Sequence, residues 1–567
     1  MVAGARTFSL EDTFLPTHVL NPPPTRHALL AFLVALAAIL HVGTAAWGDL
    51  YDGVEGQIAG GAREMVASGQ WFVPTNDGVP QLQTPPFAYC AVALSYKVFG
   101  VSPTAARLPI ALAMIATVAL TFLIGERLAG YWRGFAAGLI YLCSAGTFVL
   151  GRLVAPYNLC SLLIAAAVYC AVCGYQRQQF RRTWFAGFWI SAALATLTQG
   201  PGPFLFLGVI VLLLSIFFRE ARLRFAHLLH WTNLLLFLAI VAPWFVWAQQ
   251  QFPGFVHQFF GDENGPNSGR WRFFVLLPAC WFPALTLILP GIVFAPRKIF
   301  RPNEPAFADA LPLCWIGVGL MIELLIGGGR ASASMMAAPG FALLAASAWE
   351  RTSRRLRAAG VALTLVIGVM IASAAWFRPA LLETVLAGSL SAGTWLSVRP
   401  LAQITIGALA VSAFAAFFLV RQRGEVMLVF ALAAMVPAGF CLIESGARAA
   451  PFLSLADAAR CLNPRLGRSG EVVLEGPLRS GNSLSFYLEK KFYLLNEKPA
   501  QIERDAASQT KYLDEHFLLE AWDRSDPIYL IIDESRVSYW RDLIVQRVHI
   551  FHQVTTCGGR VVLSNQL

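Results

Sequence analysis

Five carboxylates, Asp49, Asp52, Glu55, Glu64 and Asp77, crowd one short polar stretch, and Arg63 is nearly their only basic partner before Lys97. Carboxylates held close together near a membrane surface raise one another's proton affinity, which suits one of them to take or give a proton in catalysis. A solvated loop face has the same composition, so the spacing leaves both readings open. Asp52 and Glu55 are the candidates for a general base. Glu55 opens a helix, where unpaired N–H groups favour a carboxylate. Asp52 lies just outside that helix beside Gly53. A second candidate is Glu323, inside an apolar run and followed by Gly327-Gly328-Gly329-Arg330. A carboxylate there is costly unless paired or facing a cavity. Arg330 is its natural partner and a candidate phosphate anchor; a plain ion pair at a helix end fits equally well.

The elements that must position these residues are membrane helices. Of 567 residues, 57% are hydrophobic and 13% charged, against about 25% charged in soluble domains. Apolar runs of bilayer-spanning length occupy roughly 28–48, 104–125, 132–150, 155–175, 183–198, 201–218, 227–249, 271–295, 308–327, 333–349, 359–377, 401–420 and 425–443, about thirteen spans. The run 86–100 follows Pro85-Pro86, carries Lys97 and reads as an interfacial helix. With the N-terminal segment 1–27 in the cytoplasm, every second connection is basic, as the positive-inside pattern requires. These connections hold Arg127 and Arg133; Arg177, Arg181 and Arg182; Arg219, Arg222 and Arg224; Arg297, Lys298 and Arg301; Arg351, Arg354, Arg355 and Arg357; and Arg421 and Arg423. The net charge of +10 therefore reports topology and no nucleic-acid partner. The ten cysteines lie mostly in apolar runs, as small hydrophobes; Cys461 and Cys557 are in a polar region, where a disulfide is one option. The first 27 residues lack the apolar core of a signal peptide.

The expected fold class is mostly α: a polytopic membrane domain over 28–444, with an extracytoplasmic first loop over 49–103, and a small extracytoplasmic α/β domain over 445–567. In the loop, Ile58, Ala62, Met65 and Val66 recur at helical spacing, which predicts an amphipathic helix over 55–68 lying on the membrane. In the tail, 471–474, 484–488, 528–532 and 560–564 read as strands and 537–548 as a helix.

An ordered set of motifs runs through the first loop. Acidic residues after the first span precede the A-R-E-M of 62–65. Ser68-Gly69-Gln70-Trp71 and Pro74 follow, then Pro85-Pro86, the K-V-F-G of 97–100 and the A-A-R-L-P of 105–109. This order resembles the protein O-mannosyltransferase and lipid A aminoarabinose transferase superfamily of the GT-C class. The resemblance implies an inverting glycosyltransferase in a bacterial-type inner membrane, with its active site on the extracytoplasmic side. The donor would be a sugar on a polyprenyl phosphate, the acceptor a lipid, glycan or protein hydroxyl, and the surroundings membrane lipids. A carboxylate after the first span would deprotonate the acceptor, and nearby cations would stabilise the leaving phosphate. The positions that match or stand in for the family's substrate-binding residues are Arg63, Arg107, Arg152, Tyr157, Gln199, Asp262 and Glu263; Arg330 joins them as a substrate-binding candidate on the independent ground of its place after Glu323 and the glycine run.

The sequence departs from that pattern at several of these positions. Glu55 keeps the family's Glu, but Val54 stands where its Asp is expected. Gln83 and Thr84 replace Glu-Lys, Tyr157 a second Asp, and Gln199 the Lys of Lys-Gly-Pro; Asp262-Glu263-Asn264 lacks the usual His. His257 is the nearest substitute. The family's metal-binding carboxylate and His are thus absent; no metal ligand is assigned, and whether a divalent metal is used stays open. Two readings follow: a diverged active enzyme, or a scaffold that keeps the fold without catalysis. A transporter would call for a midplane site and repeat symmetry, and the sequence shows no internal repeat.

Overall fold

The computed structural model describes residues 24–177, 180–255, 259, 277–296, 307–326, 331–377, 392–418, 424–497, 511–546 and 551–566. Asp262, Glu263, His257 and Arg330 lie outside them, as does the side chain of Glu323.

The apolar runs are helices. In chain order they are α1 (Pro24–His41), α2 (Val54–Ser68), α3 (Phe87–Phe99), α4 (Pro103–Ala129), α5 (Tyr131–Leu142), α6 (Ala145–Val149), α7 (Pro156–Gln176), α8 (Arg181–Gln199), α9 (Gly202–Phe217), α10 (Arg219–Phe225) and α11 (Trp231–Gln251). They continue as α12 (Ala284–Phe294), α13 (Phe307–Ile326), α14 (Ala331–Arg351), α15 (Arg354–Phe377), α16 (Ala392–Phe418), α17 (Gly424–Ala433) and α18 (Met435–Leu453). Among the described residues, four stretches are long and apolar enough to cross a membrane: Pro103–Ala129, Pro156–Gln176, Trp231–Gln251 and Gly424–Leu453. Helix α4 shows how the sequence sets an end. Ser102 accepts a hydrogen bond from Ala105 N at 3.1 Å, Pro103 occupies the first turn, and Gly130 stops the helix at φ 96°.

The helix bundle has two poles. At one, the basic connections meet one another: Arg26 pairs with Glu126, Arg133 with Glu350 at 2.7 Å, and Arg351 with Asp309 at 2.6 Å. Gln176 Nε2 donates to Arg127 O, and Arg224 to Tyr175 O. The basic connections around Arg127 and Arg133, Arg224 and Arg351 are thus grouped in space, while Arg297, Lys298, Arg301, Arg421 and Arg423 lie outside the described residues. At the other pole lie the first loop and the tail.

The tail forms a six-stranded sheet in the order β5-β4-β3-β6-β8-β7, where β1 (Thr75–Asn76) and β2 (Val79–Pro80) form a small hairpin in the first loop. The strands are β3 (Glu471–Glu475), β4 (Tyr493–Leu495), β5 (Tyr512–Leu513), β6 (Ile528–Asp533), β7 (His552–Cys557) and β8 (Arg560–Ser564). The first four neighbours run parallel, and β8 and β7 close the edge antiparallel. Both faces are covered, as parallel strands demand. Val472, Leu474 and Ile531 face one core with α19 (Ala456–Leu462); Val473, Leu530 and Ile532 face another with α21 (Glu515–Trp522) and α22 (Val537–Gln546).

One expected strand is a helix. Residues 484–488 alternate, but they sit in α20 (Asn482–Tyr487) and its end. Leu484 and Leu488 are one helical turn apart and both enter the tail core, while Phe486 turns toward the membrane helices. A four-residue spacing fits either period, and packing chose the helix. Helix α2 forms as expected, and its apolar residues Ile58, Ala62 and Met65 are buried in the protein core. A Cβ on Gly56 would stand 2.5 Å from Ser483 N, and one on Gly60 would collide with Ser485 Oγ, so these glycines admit α20 directly against α2.

The tail and the first loop are knitted by polar contacts. Arg460 pairs with Asp49, Asn76 Nδ2 donates to Asn482 Oδ1 at 2.6 Å, and Tyr487 Oη receives Leu50 N–H at 2.8 Å. The pair Lys511 Nζ–Asp77 Oδ2, at 2.5 Å, is more buried than Arg460–Asp49, with side chains 9% and 6% exposed. Breaking it leaves a buried carboxylate without its cation. Lys511→Met should therefore lower stability by about 3–5 kcal/mol, read as a fall in melting temperature in detergent, and adding Asp77→Asn should restore part of the loss.

Candidate active site at the first loop

The site is built around the turn that joins α1 to α2. Arg107, on the first turns of α4, is 2% exposed and reaches into this turn. Its Nε donates to Glu55 Oε1 at 3.0 Å and its Nη2 to Glu55 Oε2 at 3.3 Å. Its remaining donors bind the carbonyls of Trp47 (3.0 Å), Gly48 (2.8 Å) and Asp49 (2.7 Å). Glu55 also accepts from Tyr51 N at 2.9 Å and Val154 N at 3.3 Å. Both carboxylate oxygens of Glu55 are thus engaged, and the side chain is 2% exposed. This is a structural ion pair with its lone pairs filled.

Arg152 lies beside the pair on the connection between α6 and α7. It donates through Nη2 to the carbonyls of Trp47 and Thr44 and lies against Tyr51. Its Nε is buried and, among the described residues, has no hydrogen-bond partner. Burial, and after it the repulsion of Arg107, pushes its guanidinium down to about 10. Two arginines therefore share one carboxylate. Tyr157, in the first turn of α7, is buried within electrostatic range of Glu55.

Asp52 is placed differently. Ser483 donates to Asp52 Oδ1 from both its N–H, at 2.9 Å, and its Oγ, at 2.6 Å. The backbone on either side is tied down by Asp52 N to Leu453 O at 2.7 Å and Gly53 N to Arg479 O at 3.0 Å. Burial pushes the Asp52 carboxyl up to about 6, against the lowering effect of the two Ser483 bonds. Glu64 is also raised by burial, and its neighbour Asp77 adds a smaller push. The expectation that clustered carboxylates raise one another holds only as the smaller cause at Glu64, where Asp77 contributes; at Asp52 and Glu64 alike, desolvation is the largest cause.

The other candidates are dispersed. Arg63 Nη1 donates to the carbonyls of Phe486 at 2.7 Å and Leu488 at 2.9 Å, closing the end of α20. Gln199 ends α8 with its Oε1 buried and unpartnered. The start of the connection after α11 does approach the first loop: Trp244 Nε1 donates to Phe72 O at 2.9 Å, and Leu82, Trp244 and Phe255 pack together. Ser483, Asn482 and Lys511 were not foreseen. They lie more than four hundred residues from their partners in sequence, and no local pattern marks them. Among the described residues, no group of three or more His, Cys, Asp or Glu side chains could hold a metal ion.

With this geometry in view, the comparisons with known proteins are specific. Residues 83–247 match the family described as dolichyl-phosphate-mannose-protein mannosyltransferase. The fold matches the crystal structure of ArnT from Cupriavidus metallidurans in the apo state, with a TM-score of 0.78 over 96% of this chain and 98% of that one, at 20% identity. The same protein bound to undecaprenyl phosphate matches with a TM-score of 0.78 at 19% identity, over 95% and 98% of the two chains. The chain has the GT-C fold and resembles the protein mannosyltransferase and aminoarabinose transferase families. Among curated relatives, it is 26% identical to undecaprenyl phosphate-alpha-4-amino-4-deoxy-L-arabinose arabinosyl transferase 2 of Proteus mirabilis over 45% of this chain and 48% of that protein. It is 30% identical to an uncharacterized Aquifex aeolicus protein over 26% and 30%. The matched segments thus span less than half the length of these relatives.

Two substitutions separate structure from chemistry. Glu55→Gln strips Arg107 of its anion and should cost about 3–5 kcal/mol, read as lost abundance and melting temperature. Asp52→Asn should instead change the pH dependence of stability. A carboxyl whose folded pKa is raised binds its proton more tightly in the folded chain, so its destabilising effect is full above about pH 6 and is relieved as pH falls toward 3.8. Wild-type protein should therefore gain stability relative to Asp52→Asn between those pH values, and parallel melting curves would show that Asp52 does not titrate there.

Proposed function

We propose that the chain is a membrane glycosyltransferase that takes its sugar from a polyprenyl-phosphate donor and passes it, with inversion, to a lipid, glycan or protein hydroxyl. The observation that carries this reading is the buried surplus of positive charge at the first loop. Among the described residues, Arg107 and Arg152 face one carboxylate, and Arg152 Nε has no hydrogen-bond partner. A buried cation without a counter-charge is costly, and a phosphate oxygen would satisfy it with a charge-assisted hydrogen bond. The GT-C fold supports the assignment, since the Cupriavidus protein of the same fold was crystallised with undecaprenyl phosphate.

Within this reading, Asp52 is the general base. Both Ser483 bonds fall on Oδ1, which leaves Oδ2 to take the acceptor's hydroxyl proton. The acceptor oxygen then attacks the anomeric carbon, the bond to the phosphate oxygen breaks, and Arg152 stabilises the charge that develops on the leaving phosphate. A pKa near 6 keeps Asp52 ionised at neutral pH while making it a better base than an ordinary aspartate. About thirteen spans, with the loop and the tail outside, complete the arrangement. The tail over 445–567 would then be a domain that seats the base.

One observation favours a second reading. Val54, at the place where the resemblance calls for Asp, is 46% exposed and has no acid to offer. On that reading the chain keeps the fold as a scaffold without transfer.

Labelled-sugar transfer in membranes, with product glycolipids and glycoproteins identified by mass spectrometry, decides between them. At equal abundance, Asp52→Asn should lose at least about a hundredfold in rate, the usual scale of general-base catalysis. Transfer at the wild-type rate would move the search for a base to Asp262 or Glu263, and no transfer by wild-type protein would support the scaffold. For sidedness, an impermeant thiol reagent on intact cells should label Glu520→Cys in the tail but not Arg355→Cys at the basic pole.

A further inference from the structure

A cleft of about 190 Å³ opens at the basic pole, far from the candidate active site. Helix α4 measures the separation: Arg107 lies near its start, and its 27 residues carry the chain about 40 Å, at 1.5 Å per residue, toward the opposite pole. The cleft is enclosed by the ends of α5, α14, α15 and α17, and Trp132, Phe135, Trp349, Glu350, Arg357 and Glu425 carry its chemistry.

The charges are arranged in two halves. Arg357 stacks on Trp349 at 5.5 Å and is held by Nε to Trp349 O and Nη2 to Glu350 O, both at 2.8 Å. Its Nη1 lies so close over Gly424 that any Cβ there would collide with it. The guanidinium is therefore fixed, with one edge turned toward α17 and the cleft. Glu350 receives Arg133 at 2.7 Å, and Glu425 is exposed at the rim. Trp132, 40% exposed, supplies a second aromatic surface.

Among the described residues, two arginines and two glutamates make the lining and its immediate partner close to neutral. A simple anion would meet two carboxylates, and a simple cation two guanidinium groups. A ligand carrying both signs satisfies both halves. Its phosphate would rest on Arg357, and its ammonium between Glu425 and Trp132, where a carboxylate and an aromatic face both favour a cation. Apolar surface leaves the cleft on both sides. Phe135 contacts Phe32, which is 50% exposed, and α17 presents Val426 and Phe430 at 38% and 41%. Such surface suits acyl chains rather than a soluble molecule. About 190 Å³ holds on the order of six waters at ~30 Å³ each, the scale of one small headgroup.

We propose that this cleft is a binding site for one aminophospholipid, with its phosphate on Arg357 and its ammonium at Glu425 and Trp132. The site stands apart from the glycosyl-transfer reading and does not depend on it.

The test uses the full-length protein in a neutral detergent, with dioleoyl phosphatidylethanolamine and dioleoyl phosphatidylglycerol offered at equal concentration. Native mass spectrometry should show one phosphatidylethanolamine retained in clear preference to phosphatidylglycerol. Glu425→Gln and Trp132→Leu, both exposed positions, should each reduce that retention by about tenfold, the weight of one desolvated cation–π or charge contact. Arg355→Gln, an exposed charge outside the cleft lining, should leave it unchanged. Equal retention of the two lipids, or unchanged retention in both cleft variants, would overturn the proposal.

Discussion

The buried pair between Arg107 and Glu55 is the interaction on which the rest of the site depends. Arg107 reaches from α4 and collects the carbonyls of the α1–α2 turn, and Glu55 reaches back to Tyr51 N and across to Val154 N. Three segments of chain are thereby fixed through one guanidinium and one carboxylate. In so dry a place neither group is tolerable without the other. The same saturation removes Glu55 from chemistry, because both of its oxygens are already bonded.

That constraint passes outward to the tail. Once Glu55 sets the start of α2, Asp52 and Gly53 are presented to α20, and Gly56 and Gly60 let α20 approach without side chains between. The tail then supplies a serine to one acid, an arginine to another and a lysine to a third. This explains why a loop with five carboxylates is stable without clustered repulsion. The loop's polar groups are held by backbone and side chains from the far end of the chain.

The opposite pole follows a different rule. There the charges pair mostly at helix ends, and aromatic rings cover the apolar stems, as at Trp349 beneath Arg357. At the first-loop pole the arrangement is different: among the described residues, the buried Nε of Arg152 has no hydrogen-bond partner.

The sequence by itself determined the helices, the grouping of basic connections and the motif order of the first loop. Apolar length, charge alternation and glycine or proline at helix ends are local properties, and the bundle obeys them: the runs at 104–125 and 155–175 became α4 and α7. It also singled out Asp52, Glu55, Arg107 and Arg152 by type and spacing. Only the tertiary structure decided their roles. Whether Glu55 is a free base or a saturated ion partner depends on Arg107, 52 residues away, and the state of Asp52 depends on Ser483, 431 residues away. Residues 484–488 became helix instead of strand for the same reason, since their spacing satisfied both periods and the glycine face of α2 accepted only one. Periodicity travels with the chain, whereas burial, pairing and proton affinity are set by whatever the fold brings against it.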